Sequence, residues 1–257
     1  MQDLTYHTEN RVAYLTLNRP EKRNAFSATL VAQLKEAFTK AAEDDNVKVV
    51  VLQAKGTVFC AGADLAYLQT LQTNTYEENL ADSSFLKDLY EQIYRFPKPT
   101  IAAVQGAALA GGCGLATVCD FVFAVPEAKF GYTEVKIGFV PAIVSKFLLR
   151  KIGEMQARYL LISGELISAQ KAEQIGLITA VVEAENLTEK VQNFAQILCK
   201  NNSAEAMFMT KKAIEIVQEQ DLSQALLYAA ALNAQARATQ DCKKGIAAFL
   251  NKEKIVW

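Results

Sequence analysis

The chain has 257 residues, 51% of them hydrophobic, with 27 basic and 28 acidic side chains and a net charge of -1. That suffices for one large domain, or one domain plus a small appendage, and it lacks the clustered basic charge of a nucleic-acid binder. The single histidine, His7, excludes histidine-rich metal sites and leaves Ser-His-Asp or Cys-His chemistry only a residue in a polar N-terminal stretch.

In chain order, "MQDLTYHTENR" lacks the apolar core of a secretory signal. "RVAYLTLNRP" predicts a strand ended by Pro20. Ser27 is placed to cap a helix whose apolar residues Leu30, Val31, Leu34, Phe38 and Ala41 keep helical spacing. "VKVVVLQA" is a continuous β-branched run, as in a strand buried on both faces. The loop "KGTVFCAGADL" follows, then a helix over 76–96 stopped by Pro97 and Pro99. "TIAAVQG" predicts the next strand, the glycine stretch "ALAGGCGL" opens the next helix, and "DFVFAV" is a further short strand. This alternation predicts a mostly parallel α/β fold. From Leu187 four helices follow without a strand, so the expected organisation is a catalytic unit over 1–186 and a helical region over 187–257. The third of these helices is apolar nearly all round from Leu226 to Leu232, which predicts burial against another subunit, with burial against the chain's own α/β core as the alternative.

From Pro99 to Cys119 no side chain is charged. The length approaches a membrane span, but Gln105 and four glycines argue against one, since each glycine weakens a helix by roughly 1 kcal/mol. The five cysteines are scattered and contain no CxxC, which fits buried apolar residues in a reducing compartment. The expected location is cytoplasmic, with no membrane and no nucleic-acid partner.

Two loops share one construction: "FCAGADL" and "ALAGGCGL" each follow a buried strand, carry small residues and open a helix. Small residues let a ligand approach the backbone, and helix N-termini offer unpaired N–H groups. Two such groups converging on one oxygen make an oxyanion hole. A tight strand-to-helix turn without function fits the same spacing. A third stretch, "KFGYTEVKIGFVPA", sets Glu134 among small and apolar residues, where a carboxyl has a raised pKa suited to acid/base work. No metal constellation is present.

These elements, with "LNRPEKRNAFS", "SGELISAQKAEQIGLITAVV" and "KKGIAAFLNKEK", resemble the enoyl-CoA hydratase/isomerase (crotonase) superfamily over nearly the whole chain. The resemblance implies a spiral of ββα turns with a helical C-terminal trimerisation region, assembled as a homotrimer or homohexamer. It implies acyl-CoA thioester substrates, with coenzyme A as part of the substrate and no separate cofactor. The catalytic positions it implies are Glu134 and the amides of Ala63 and Gly111. Arg23, Ala25, Ala61, Asp64 and Leu65 would line the coenzyme A path, with Lys252, in the C-terminal helix, reaching a neighbouring subunit's nucleotide. Two-carboxylate hydratases of the family carry glutamate where this chain has Gly114. The pattern is similar to that of bacterial methylglutaconyl-CoA hydratases, and Gly114 is expected to open room for a branched or acid-terminated acyl group. Lys136, Lys146 and Arg150 are read as surface residues. Hydration of a 2-enoyl-CoA is the leading expectation. The alternatives are double-bond isomerisation and, in another class, a non-catalytic binding or RNA-binding role.

Overall fold

The computed structural model describes residues 2–257, the side chain of Leu65 excepted. The N-terminal polar stretch is an edge strand, β1 (Leu4–Glu9), paired antiparallel with β2 (Val12–Leu17). Asn10 and Arg11 turn the hairpin with positive φ of 49° and 66°, the handedness a two-residue hairpin needs. Every residue of β2 is buried, whereas β1 is exposed toward its end. That edge position is why β1 carries no apolar signal.

Helix α1 (Ala28–Glu43) begins at Ser27, whose hydroxyl accepts from the Leu30 N–H, and its five expected apolar positions are all buried. Three ββα turns follow. The first is β3 (Val49–Ala54), β4 (Val58–Cys60), α2 (Leu65–Leu71) and α3 (Tyr76–Tyr94). The second is β5 (Thr100–Val104), β6 (Ala107–Leu109) and α4 (Gly111–Thr117). The third is β7 (Phe121–Ala124), β8 (Lys129–Gly131), a 3-10 turn over Glu134–Ile137 and α5 (Ala142–Ser163), which is broken at Gly153. The first strand of each turn enters a six-stranded sheet, β1-β2-β3-β5-β7-β10, and the second enters a four-stranded sheet, β4-β6-β8-β9. Strand β9 (Ile167–Ser168), α6 (Ala169–Gln174) and β10 (Ala180–Val181) complete the sheets. Pairing is parallel except at β1–β2 and β8–β9. This is the expected spiral of ββα turns.

Two segments expected as loops each contain a short strand, β4 and β6. Three residues carry no readable alternation; these strands exist because they pair with each other, Val58 beside Ala107 and Cys60 beside Ala108. The turns of the spiral close on each other through two glycines. A Cβ at Gly106 would run into the Thr57 carbonyl, and one at Gly112 into the Cys60 carbonyl. Much of the glycine stretch therefore serves backbone-to-backbone packing rather than display of amides.

The C-terminal helices are α7 (Leu187–Asn201), α8 (Ala204–Val217), α9 (Leu222–Ala238) and α10 (Gln240–Leu250). Leu187, Val191, Ala195, Leu198 and Cys199 of α7 join the main core, and α7 packs on β2, β3, β5 and β7. By contrast, α8 and α9 bury no residue and α10 buries only Ala248. Among the described residues, no helix is long and apolar enough to cross a membrane.

Candidate active site

Loop 19–26 brings the site's first wall into place. Arg23 and Asn24 both take left-handed φ, 52° and 53°, a conformation asparagine tolerates better than most residues. The Asn24 side chain is fully buried. Its Nδ2 donates to the carbonyls of Lys55 and Val58, both at 2.8 Å, and its Oδ1 accepts from the Arg19 N–H at 2.9 Å. That staple lets the loop pair with the "CAGAD" segment: Ala61 N–H donates to Arg23 O, Phe26 N–H to Gly62 O, and Asp64 N–H to Phe26 O. Asn24 lies within the 23–25 segment expected to line the coenzyme A path, but its stapling role was not expected; an asparagine beside a required positive φ was the available signal. Asn24→Ala orphans two carbonyls and an amide and is expected to cost about 1–3 kcal/mol, read as a lower urea midpoint.

Of the segments expected to line a coenzyme A path, 23–25 and 61–65 are therefore adjacent. Arg23 is exposed and Ala61 is half-buried. Ala25 is buried, and its carbonyl accepts from Arg19 Nη1 at 2.6 Å. The Asp64 carboxylate is already engaged: it caps α2 by accepting from the Ala66 N–H and meets Arg19 Nη2 at 3.3 Å. Leu65 opens α2, and its side chain lies outside the described residues. Lys252 lies not in the C-terminal helix but just beyond α10, exposed in a left-handed turn at φ 56°. The chain leaves the helix there, closed by the Lys252 N–H on Phe249 O. Arg150, read as a surface residue, is held by the Tyr94 hydroxyl and Glu219.

Ala63 and Gly111 face each other across the two loops. Ala63 is exposed and Gly111 half-buried. Among the described residues, neither N–H donates to any protein group. A Cβ at Gly62 would lie 3.5 Å from the Gly111 nitrogen, so the two segments are in direct apposition. Ala110, the residue before α4, holds φ 50° and ψ -126°, a region that costs a non-glycine residue on the order of 1–3 kcal/mol. Its own N–H donates to Gly131 O at 2.8 Å. The strained residue turns the chain so that α4 begins at the site with a free N–H. At the other end of α4, the buried Lys151 amine donates to Thr117 O and Cys119 O at 2.9 and 2.7 Å. Burial lowers its pKa, yet it satisfies carbonyls that would otherwise be orphaned.

Glu134 opens the 3-10 turn after β8, and Phe139 N–H closes that turn by donating to Glu134 O at 3.0 Å. Its Oε2 is buried without a hydrogen-bond partner among the described residues. Burial raises its pKa above the ordinary carboxylate value. Its charge in turn contributes to the raised pKa values of Tyr90 and of Cys113 on α4, after desolvation. Tyr90, absent from the expected set, is fully buried, its pKa pushed well up by desolvation, and its hydroxyl donates to Gly111 O at 2.6 Å. The room expected at Gly114 is not there. A Cβ at that position would meet Val144 Cγ1 well inside 3.0 Å and the Tyr90 hydroxyl at 3.3 Å. The volume beside position 114 of α4 is filled by a side chain from α5.

Two free amides beside an unpartnered, proton-hungry carboxyl can hold a developing oxyanion and move a proton at the adjacent carbon. Among the described residues, no cluster of three or more His, Cys, Asp or Glu could hold a metal ion.

The sequence model of the enoyl-CoA hydratase/isomerase family matches residues 7–257. A Thermus thermophilus protein, provisionally named an enoyl-CoA hydratase, is 40% identical over 244 residues, covering 95% of this chain and 96% of that one. The 2,3-dehydroadipyl-CoA hydratase of Escherichia coli is 36% identical over 257 residues, covering 98% and 97%. The crystal structure of an enoyl-CoA hydratase from Shewanella pealeana superposes with a TM-score of 0.94 at 30% identity, covering 99% of this chain and 96% of that chain.

Proposed function

The chain belongs to the enoyl-CoA hydratase/isomerase family, and on that footing we propose that it is an enoyl-CoA hydratase that adds water across a 2-enoyl-CoA double bond with Glu134 as its single acid/base side chain. One observation carries the reading: the buried, unpartnered Glu134 Oε2, held on the 3-10 turn after β8. The thioester oxygen is placed between the N–H groups of Ala63 and Gly111. Glu134, as carboxylate, takes a proton from water while the water oxygen bonds to C3. The π electrons pass to the thioester oxygen as an enolate, which the two amides hold. Glu134 then gives the proton to C2, the enolate electrons forming the new C–H bond, and the carboxylate is restored. The same residues serve isomerisation if the proton comes from C4 instead of water.

The test separates the two chemistries. Straight-chain and 3-methylglutaconyl-like 2-enoyl-CoA and 3-enoyl-CoA esters are incubated in ¹⁸O water. Label in a 3-hydroxyacyl product is the expected result; interconversion of the esters without label makes the protein an isomerase. A branched substrate no longer draws support from space at Gly114, which Val144 fills. Retention on a coenzyme A resin, but not on RNA, is expected and distinguishes the enzyme from a binding protein on the same fold.

The coenzyme A path proposed here runs over Arg23, Ala25, Ala61, Asp64 and Leu65, with Lys252 serving a neighbouring subunit and no separate cofactor. The proposed assembly is a homotrimer or homohexamer, in the cytoplasm. It is supported by Leu226 and Leu227 of α9, 61% and 66% exposed in the isolated chain, more apolar surface than a helix leaves to water. Light scattering should give a multiple of the 28.2 kDa chain mass; a mass near one chain overturns the assembly.

A further inference from the structure

We propose that Val144 is a specificity-determining residue of this site, filling from α5 the volume that a side chain at position 114 would need and bounding the acyl group there. The inference rests on the acyl-CoA reading above. Gly111 and Gly114 are one turn apart on α4 and share a neighbour: a Cβ on Gly111 would lie 3.0 Å from the Tyr90 hydroxyl, and one on Gly114 3.3 Å from it. Position 114 is thus on the same face of α4 as position 111, one turn further from the free amide at the helix start.

What closes it is rigid. Val144 is 3% exposed, and Leu148, one turn on, is fully buried. Helix α5 packs on α4 along this face. A β-branched valine in a helix has essentially one rotamer, so the methyl that a residue-114 Cβ would strike is not the loose end of a flexible side chain. The space is occupied rather than open. No second acid/base group can be carried on α4 here while Val144 is present, so Glu134 acts alone. The wall beside the reacting carbons is a methyl group, and its size sets which acyl groups fit.

The test uses the full-length protein, Val144→Ala, Gly114→Ala and the double variant. Stability is read in urea, and kcat/KM is measured for 2-butenoyl-CoA and 3-methyl-2-butenoyl-CoA. Val144→Ala alone should raise the branched-to-straight ratio of kcat/KM roughly 10-fold, the scale on which a hydrophobic pocket senses one small group. Gly114→Ala should lose stability, and adding Val144→Ala should recover most of the loss, because neighbours that share one volume are not additive. An unchanged selectivity ratio overturns the specificity role. Additive stability effects overturn the filling of position 114. No turnover of either ester by the native protein overturns the activity reading and the selectivity with it, while the stability cycle still decides whether the volume is shared.

Discussion

Glu134→Gln is expected to lower kcat by about 10²–10⁴-fold, the range of general acid–base catalysis, while acyl-CoA binding survives. Glutamine keeps the shape and hydrogen-bonding capacity of the side chain but cannot take a proton. No histidine stands in, since His7, the only one, is exposed on β1 and stacked on Tyr14. The pH dependence follows from burial. Desolvation raises the Glu134 pKa, so the base form, and with it kcat/KM, should fall as pH drops through a value above the ordinary glutamate pKa. The sign for stability is opposite. The folded protein binds this proton more tightly than the unfolded chain does, so Glu134's contribution to stability is full below the unfolded pKa and is lost as pH rises through the folded one. Glu134→Gln should therefore be at least as stable as the native protein at neutral pH, and inactive. Steady-state kinetics and urea melts over a pH series check both statements. Unchanged turnover defeats the assignment.

Gly111→Pro is expected to lower kcat by about 10²–10³-fold relative to Gly111→Ala, the cost of one oxyanion donor. The comparison removes the Cβ effect and leaves the N–H as the intended difference. Both variants carry a Cβ, which the Tyr90 hydroxyl and the Phe26 ring would meet at 3.0 and 3.2 Å, so both share that penalty; the proline ring additionally presses on Ala110 at φ 50°, which is why the folding check is part of the comparison. Only proline lacks the donor, and the first position of a helix is where proline is best tolerated. Ala63→Ser keeps its backbone N–H and should be mild. Circular dichroism and urea melts establish that each variant folds. Equal, small losses in all three variants remove the two amides from the reaction.

The order and type of most elements were legible because they rest on local, periodic signals. Ser27 and the spacing of Leu30, Val31, Leu34 and Phe38 specify α1, and the β-branched run at 49–51 specifies a strand buried on both faces. Glu134 is legible as a carboxyl among small and apolar neighbours in the chain. The short strands β4 and β6 were not legible, since they are held by pairing with strands distant in the chain, β4 by β6 and β6 by both β4 and β8.

What only the tertiary structure decided is proximity between residues distant in the chain. Asn24 staples Val58 across 34 positions, and Lys151 caps Thr117 across 34 more. Ala63 and Gly111 can form one oxyanion site because the spiral lays successive turns side by side. Gly114 reads in the sequence as a missing side chain and as empty room. In the fold it is the partner of Val144, because close packing leaves no gap of that size unfilled. Composition and periodicity register what each residue is and which face it takes. They carry no record of which side chain arrives from another helix to fill the space beside it.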